Sequence, residues 1–322
     1  MQYNNKGSKP TRLGFGEGLK EIAEKHDNII GIGSDITSSV SMDIFANAFP
    51  DRFVSLGIAE QNAVGVAAGL SLSGKIPIFS TYGVFAALRT TDQIRISLCY
   101  NNLHAIIGGA HAGISVGPDG ATHQALEDIA IMRVLPNMTL LSPCDANQAH
   151  LAMKAAIEQA NGPVYIRFGR EAVPNFTELE DTFELGKAQV LMKGDDLCII
   201  ATGHMVWEAL VAAEKLKEEG IYARVINIHT IKPIDQETII RAAKETRLII
   251  TVEEHQEIGG LGAAVAEVIS QNHPVKMKII GMPDCFGESG QPDELLEKYG
   301  LTANRIYNEA KTLFIQKNNQ GF

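Results

Sequence analysis

A chain of 322 residues is long enough for two domains of ordinary size, each with its own core. Hydrophobic residues at 45% and charged residues at 20% exclude a disordered chain and leave only short polar ends, Met1 to Pro10 and Gln316 to Phe322. A formal net charge of −10 disfavours non-specific binding to nucleic acid or anionic lipid, so phosphate recognition would fall to a few focused arginines and histidines.

No apolar run approaches the ~20 residues of a spanning helix, and the polar first ten residues carry no signal-peptide core. Cys99, Cys144, Cys198 and Cys285 are far apart, with no CxxC pair, and read as small core fillers in a reducing compartment. The expectation is a cytoplasmic protein without membrane or nucleic-acid partners.

Strand-like apolar runs alternate with helical patterns almost from end to end. Strands are predicted over 28–33, 52–56, 76–81, 103–109, 138–142 and 164–168, and helices over 15–25, 61–73, 85–98, 127–133 and 146–160. Continuous apolar strands separated by helices predict an α/β fold with a mostly parallel sheet.

The acidic, proline-containing stretch from Pro174 to Gly186 reads as a linker. The expected organisation is a polar tail over 1–10, a first domain over 11–175, a linker over 176–186 and a smaller α/β domain over 187–322. Within the second domain, strands are predicted over 197–202, 223–228, 248–252 and 275–280, with helices over 206–219, 235–244 and after Gly259-Gly260-Leu261-Gly262. That glycine cluster lacks the spacing of a nucleotide loop and reads as a close-packing or turn feature.

Two segments concentrate chemistry. Glu60, in Gly57-Ile58-Ala59-Glu60-Gln61-Asn62, stands where a short apolar strand gives way to a Gly/Ala-rich helix, so its carboxylate faces a packed junction. The run from Gly108 to Gln124 follows a predicted strand and gathers His111, Asp119 and His123 among five glycines. Loops at the carboxyl ends of parallel strands are where open α/β sheets place their sites.

These residues carry a resemblance. The run GAHAGISVGPDGATHQALEDIAIMRVLPNM is similar to the pyrimidine-binding domain of transketolases, and GIAEQN resembles the segment holding their catalytic glutamate. The similarity extends from about Thr11 to the end, through the EEH and GGLG stretches, and corresponds to the carboxyl half of a full-length transketolase. It implies a pyrimidine-binding domain followed by a transketolase C-terminal domain, and thiamine diphosphate as cofactor.

The resemblance also implies roles. Glu60 would share a proton with N1′ of the aminopyrimidine, with Asp35 a further cofactor contact. Phe85 or Tyr82 would stack on that ring; the family often has an aromatic where this chain has Thr91, which leaves the stacking partner open between the two. Arg12, Ser39, His111, Asp119, His123 and Arg167 would bind a sugar phosphate, with His111 and His123 handling hydroxyl protons. Guanidinium groups suit a phosphate dianion because each offers parallel donors.

The family's metal site lies in a GDG-plus-asparagine motif of the amino-terminal half, and this sequence has no counterpart in the right context. The implied arrangement is a C-terminal subunit, with no metal ligands of its own, completed by an N-terminal subunit holding Mg2+ or another divalent metal and the diphosphate in an α2β2 assembly. It would move a two-carbon ketol unit from a ketose phosphate to an aldose phosphate. Alternatives are the beta subunit of a 2-oxoacid dehydrogenase, half of a deoxyxylulose-phosphate synthase, and a non-catalytic partner subunit.

Overall fold

A computed structural model of the chain describes residues 3–320; the parts of the polar ends at 1–2 and 321–322 lie outside the described residues. Strands run β1 Ser8–Pro10, β2 Ile29–Gly33, β3 Phe53–Ser55, β4 Ile76–Tyr82, β5 Ile106–Ala110, β6 Thr139–Leu141, β7 Val164–Arg167 and β8 Ala172–Pro174. Then follow β9 Gln189–Met192, β10 Leu197–Ala201, β11 Ala223–Asn227, β12 Thr230–Lys232, β13 Leu248–Gln256 and β14 Lys276–Met282.

The first sheet has the order β12-β6-β7-β5-β4-β2-β3 and is parallel except for β12. The second, β14-β13-β10-β11-β9, is parallel except for β9. Every residue of β5, β7 and β10 is buried, because helices cover both faces and leave no wet side to require alternation.

The helices Thr11–Ala23 and Ala146–Glu158 cross at unusually short range. Gly14 lies against the Ala146 carbonyl and Gly18 against the backbone of His150, with no room for a Cβ at either position. This crossing fixes the start of the first helix, and hence Arg12, relative to the strand ends.

Three expectations change. Residues 8–10 are not tail: β1 pairs antiparallel with β8. The segment 176–186 is not a free linker. The Asp145 carboxylate caps the helix Ala146–Glu158 through Gln148 N and also accepts from Phe176 N, Thr177 N and Thr177 Oγ1, all at 2.7–2.8 Å. Phe176 and Phe183 are buried behind it. Finally, β12 crosses back to pair with β6, and Lys232 Nζ donates to the carbonyls of Arg133 and Leu135 at the end of the helix Asp128–Val134. The units are therefore joined by main-chain pairing as well as by side chains.

The stretch predicted as one helix over 85–98 is instead largely π-helical, over Phe85–Arg89 and Ile94–Tyr100. Thr90 Oγ1 and Thr91 Oγ1 donate back to the carbonyls of Ala86 and Ala87, competing with the regular ladder. The glycine cluster at 259–262 opens the helix Leu261–Asn272, whose first amides from Leu261 and Gly262 donate to buried Glu253 at 2.6 and 2.7 Å. Burial raises the Glu253 carboxyl above its ordinary value, with His255 and those amides opposing.

Gly14→Ala should lower stability by roughly 1–3 kcal/mol through overpacking, although alanine is the better helix former. Denaturant unfolding of the variant beside the parent chain measures this, and an unchanged midpoint would argue against the close crossing.

Candidate active site

The carboxyl ends of β2, β4, β5 and β7 and the turn after β3 open on one side of the first sheet, as parallel order requires. Glu60 begins the helix Glu60–Leu72 and is 3% exposed. A carboxylate there has the helix's unpaired amides behind it, which favours negative charge. Its Oε2 accepts from Arg89 at 2.8 Å, and the Arg89 guanidinium lies 4.1 Å from the centroid of the Phe85 ring.

Phe85 leads into an aromatic cluster. Tyr82, at the end of β4, lies 6.0 Å from Phe85, and the His123 ring stands edge-on to both, at 5.7 Å from Tyr82 and 5.6 Å from Phe85. His111 stacks on Tyr82 at 4.3 Å with 19° between planes. The left-handed φ of His111, 52°, turns its ring out of the β5 direction and onto Tyr82.

His111 Nε2 lies 3.2 Å from the Ser39 carbonyl, which also accepts from Arg12 at 2.8 Å. A carbonyl can only accept, so Nε2 carries the hydrogen and Nδ1 of the neutral ring is an acceptor. Burial, reinforced by the charges of Arg12 and Arg170, lowers the His111 pKa to about 4, so the ring is neutral at physiological pH. His111 Nδ1, Arg12 Nε and Thr81 Oγ1 are buried polar atoms without a partner among the described residues. Such atoms call for a ligand or solvent partner.

Asp35 also has a left-handed φ, 67°, and is exposed beyond β2, with Ser39 half-buried nearby in sequence. Asp119 is at the rim of the loop, 3.2 Å from Arg170. Contacts thus connect Glu60, Phe85, Tyr82, His123, His111, Ser39 and Arg12 in one arc. Asp119 and Arg170 relate to that arc through their charges, which act on His111, and Arg170 also donates to the Val116 carbonyl.

Arg167 departs from its expected role. It is buried, its Nε donates to both oxygens of Asp128 at 3.0 and 3.1 Å, and its NH2 donates to the carbonyls of Ala125 and Glu254. As the last residue of a fully buried strand it faces the interior, where its donors engage Asp128 and Ala125 of its own unit and the Glu254 carbonyl of the other. Arg170, three residues beyond the strand and a third exposed, is the guanidinium at the rim. Neither Arg170 nor Arg89 is among the sequence-predicted residues; the position of Arg170 in the exit loop of a parallel strand is the signal that could have found it. Among the described residues no group of three or more His, Cys, Asp and Glu could hold a metal.

Residues 8–175 match the family model "Transketolase, pyrimidine binding domain", and residues 186–306 match "Transketolase, C-terminal domain". A 6-deoxy-6-sulfo-D-fructose transketolase subunit from Clostridium sp. is 42% identical, covering 93% of this chain and 93% of its own. A subunit of an apulose-4-phosphate transketolase from Phocaeicola vulgatus is 43% identical, covering 92% and 94%. A solved structure described as a split gene transketolase, inactive beta4 tetramer, superposes with a TM-score of 0.89 at 46% identity, over 95% of this chain and 98% of that one.

With the folded His111 pKa below the ordinary value of about 6.5, the unfolded state takes up more protons between pH 6.5 and 4. The stability tied to the neutral ring is present above pH 6.5 and is lost as pH falls toward 4. Urea unfolding at pH 7 and 4.5 should show His111→Asn losing less stability on acidification than the parent, by on the order of 2 kcal/mol. Equal losses would contradict a buried neutral ring.

Proposed function

The chain belongs to the transketolase family, and we propose that its arc from Glu60 to Arg12 is the pyrimidine-side and substrate-side half of an active site completed by an N-terminal subunit. It is the C-terminal subunit type of a split transketolase. The observation that carries the site reading is the buried Glu60 carboxylate at a helix start, paired with Arg89, which leads on to Phe85 and Tyr82.

These residues fit thiamine diphosphate: a buried acid for the ring nitrogen, and aromatic faces beside it. Bound there, the cofactor would supply the nucleophilic carbon and the electron sink for moving a two-carbon ketol unit. Glu60 would hold the proton at N1′, with Phe85 the stacking surface and Tyr82 the support for His111. Asp35 would contribute at the cofactor's edge. Neutral His111 would accept a substrate hydroxyl proton at Nδ1, and His123 would serve a second hydroxyl.

Arg12, Ser39 and Arg170 would grip the anionic end of the sugar, with Asp119 orienting Arg170 and a hydroxyl. Phosphate and sulfonate tails both suit such donors, and the relatives above are described as acting on one or the other. A ketose phosphate donor and an aldose phosphate acceptor are our reading for this chain. The metal, Mg2+ or a similar divalent ion, would be held by the partner.

Support for a partner comes from the surface around Glu60. Ile58 and Leu72 at the two ends of the helix Glu60–Leu72, and Leu88, Ile96 and Tyr100 in the π-helical segments after β4, are exposed. Large exposed apolar groups gathered in one region mark contact surfaces. An α2β2 assembly in the cytoplasm accounts for this face and for the four free cysteines; no helix among the described residues is long and apolar enough to cross a membrane.

Mixing the purified chain with its N-terminal subunit, thiamine diphosphate and Mg2+ should give transfer from xylulose 5-phosphate to ribose 5-phosphate, with neither chain active alone. Glu60→Gln should lower kcat by at least about 100-fold while the assembly still forms, since proton transfer by a placed group contributes about that much. Full activity of the isolated chain, or of the variant, would defeat the proposal.

A further inference from the structure

The loop bearing His111, Asp119 and His123 is held from behind by the other unit. Glu254 lies in β13, in the second sheet, and is 4% exposed. Its Oε1 accepts from the Ser115 amide at 2.5 Å, and its Oε2 lies 3.1 Å from His204 Nδ1. Its main-chain carbonyl accepts from Arg167 at 2.7 Å. Gly113, with φ 91°, passes so close that a Cβ there would overlap the carboxylate. His204 leads into the helix Met205–Glu218, and its Nε2 is buried without a partner among the described residues.

The amide that Glu254 holds is placed to matter for chemistry. Ser115 stands four residues beyond His111 and next to Val116, whose carbonyl accepts from Arg170. A second tie reaches the far end of the same loop, where Gln124 Nε2 donates to the Glu288 carbonyl at 2.9 Å. A charge-assisted hydrogen bond to a buried carboxylate is stronger and more directional than the neutral one at Gln124. Displacing the Ser115 amide would therefore shift the neutral His111 acceptor and the Asp119–Arg170 pair together, while Glu60 and Phe85, on separate helical segments, would stay in place.

We propose that Glu254, oriented by His204, is a positioning residue for ketol transfer, through which the C-terminal unit sets the substrate loop from its own sheet. This inference rests on the transketolase reading of the site. Glu254 touches no reacting atom; it acts through the Ser115 amide and the Gly113 turn.

The test uses the assembled enzyme with thiamine diphosphate, Mg2+, xylulose 5-phosphate and ribose 5-phosphate. Glu254→Ala should lower kcat/KM for xylulose 5-phosphate roughly 10- to 100-fold, as expected for an error of about 1 Å in placement. Thiamine diphosphate affinity should stay within about twofold, and Glu254→Gln, which keeps an acceptor for Ser115, should recover most of the loss. His204→Asn should show a smaller loss of the same kind, and it carries the test if Glu254→Ala does not fold.

Hydrogen exchange on the isolated chain gives a reading independent of the reaction. Amides over 112–120 should exchange faster in Glu254→Ala while those over 60–72 do not change. Unchanged exchange over 112–120 would overturn the proposal. So would faster exchange with kcat/KM within twofold of the parent, or a parallel loss of cofactor affinity, which would mark general collapse. A parent assembly that transfers no ketol unit would refute the transketolase reading, and the exchange result would still decide whether Glu254 holds the loop.

Discussion

Glu60 carries its carboxylate into a junction that water does not reach, and only the head of its own helix and the Arg89 guanidinium offset that loss of hydration. The surrounding structure follows from keeping such a group in place. The helix must start at that residue, so β3 stops at Ser55, and Arg89 must be brought across from the π-helical segment after β4. Phe85 sits under Arg89, and the end of β4 just before it lays Tyr82 beneath His111.

Two classes of arginine divide the labour. Arg167 is wholly internal and joins Asp128 and the Glu254 carbonyl, so its charge is balanced by a carboxylate and two carbonyls inside the protein. Removing one partner of such a pair leaves the other charged and buried, so the pair holds the interior of the first unit, and the bond to the Glu254 carbonyl ties it to the second. Arg12 and Arg170 keep part of their surface open and lean on carbonyls of Ser39 and Val116, which orient them toward the rim. Arg12, held by a neutral acceptor, remains fully attractive to an anion, whereas Arg170 also pairs with Asp119 and Glu171 at the rim.

Much of this was legible in the sequence, and the reasons differ by element. Runs such as IIGGA and LCIIA announce strands buried on both faces, so the parallel sheets and most of their helices were readable from pattern alone. Glu60 and the His111 to His123 loop were readable because acid and imidazole groups stand out against glycine and alanine. The strands β1, β8, β9 and β12 were not, since each pairs antiparallel at an edge or in a two-stranded ladder with a distant part of the chain. Arg167 and Arg170 could not be told apart by composition. Which one is interior depends on where β7 ends and on Asp128, about forty residues earlier, neither of which local pattern reports. The widened helix after Tyr82 carries threonine back-bonds at Thr90 and Thr91, and sequence period does not distinguish it from an ordinary helix.

The return of β12 to the first sheet bears on how this protein can be dissected. Residues 230–232 supply the ladder partner for β6, so a fragment ending near residue 175 would present a bare row of amides and carbonyls along that border. Unpaired borders of this kind recruit strands from neighbouring molecules. Cutting between the two matched regions would therefore yield a fragment prone to self-association, and work on the first unit by itself would need that border shielded, by a grafted strand or by charge.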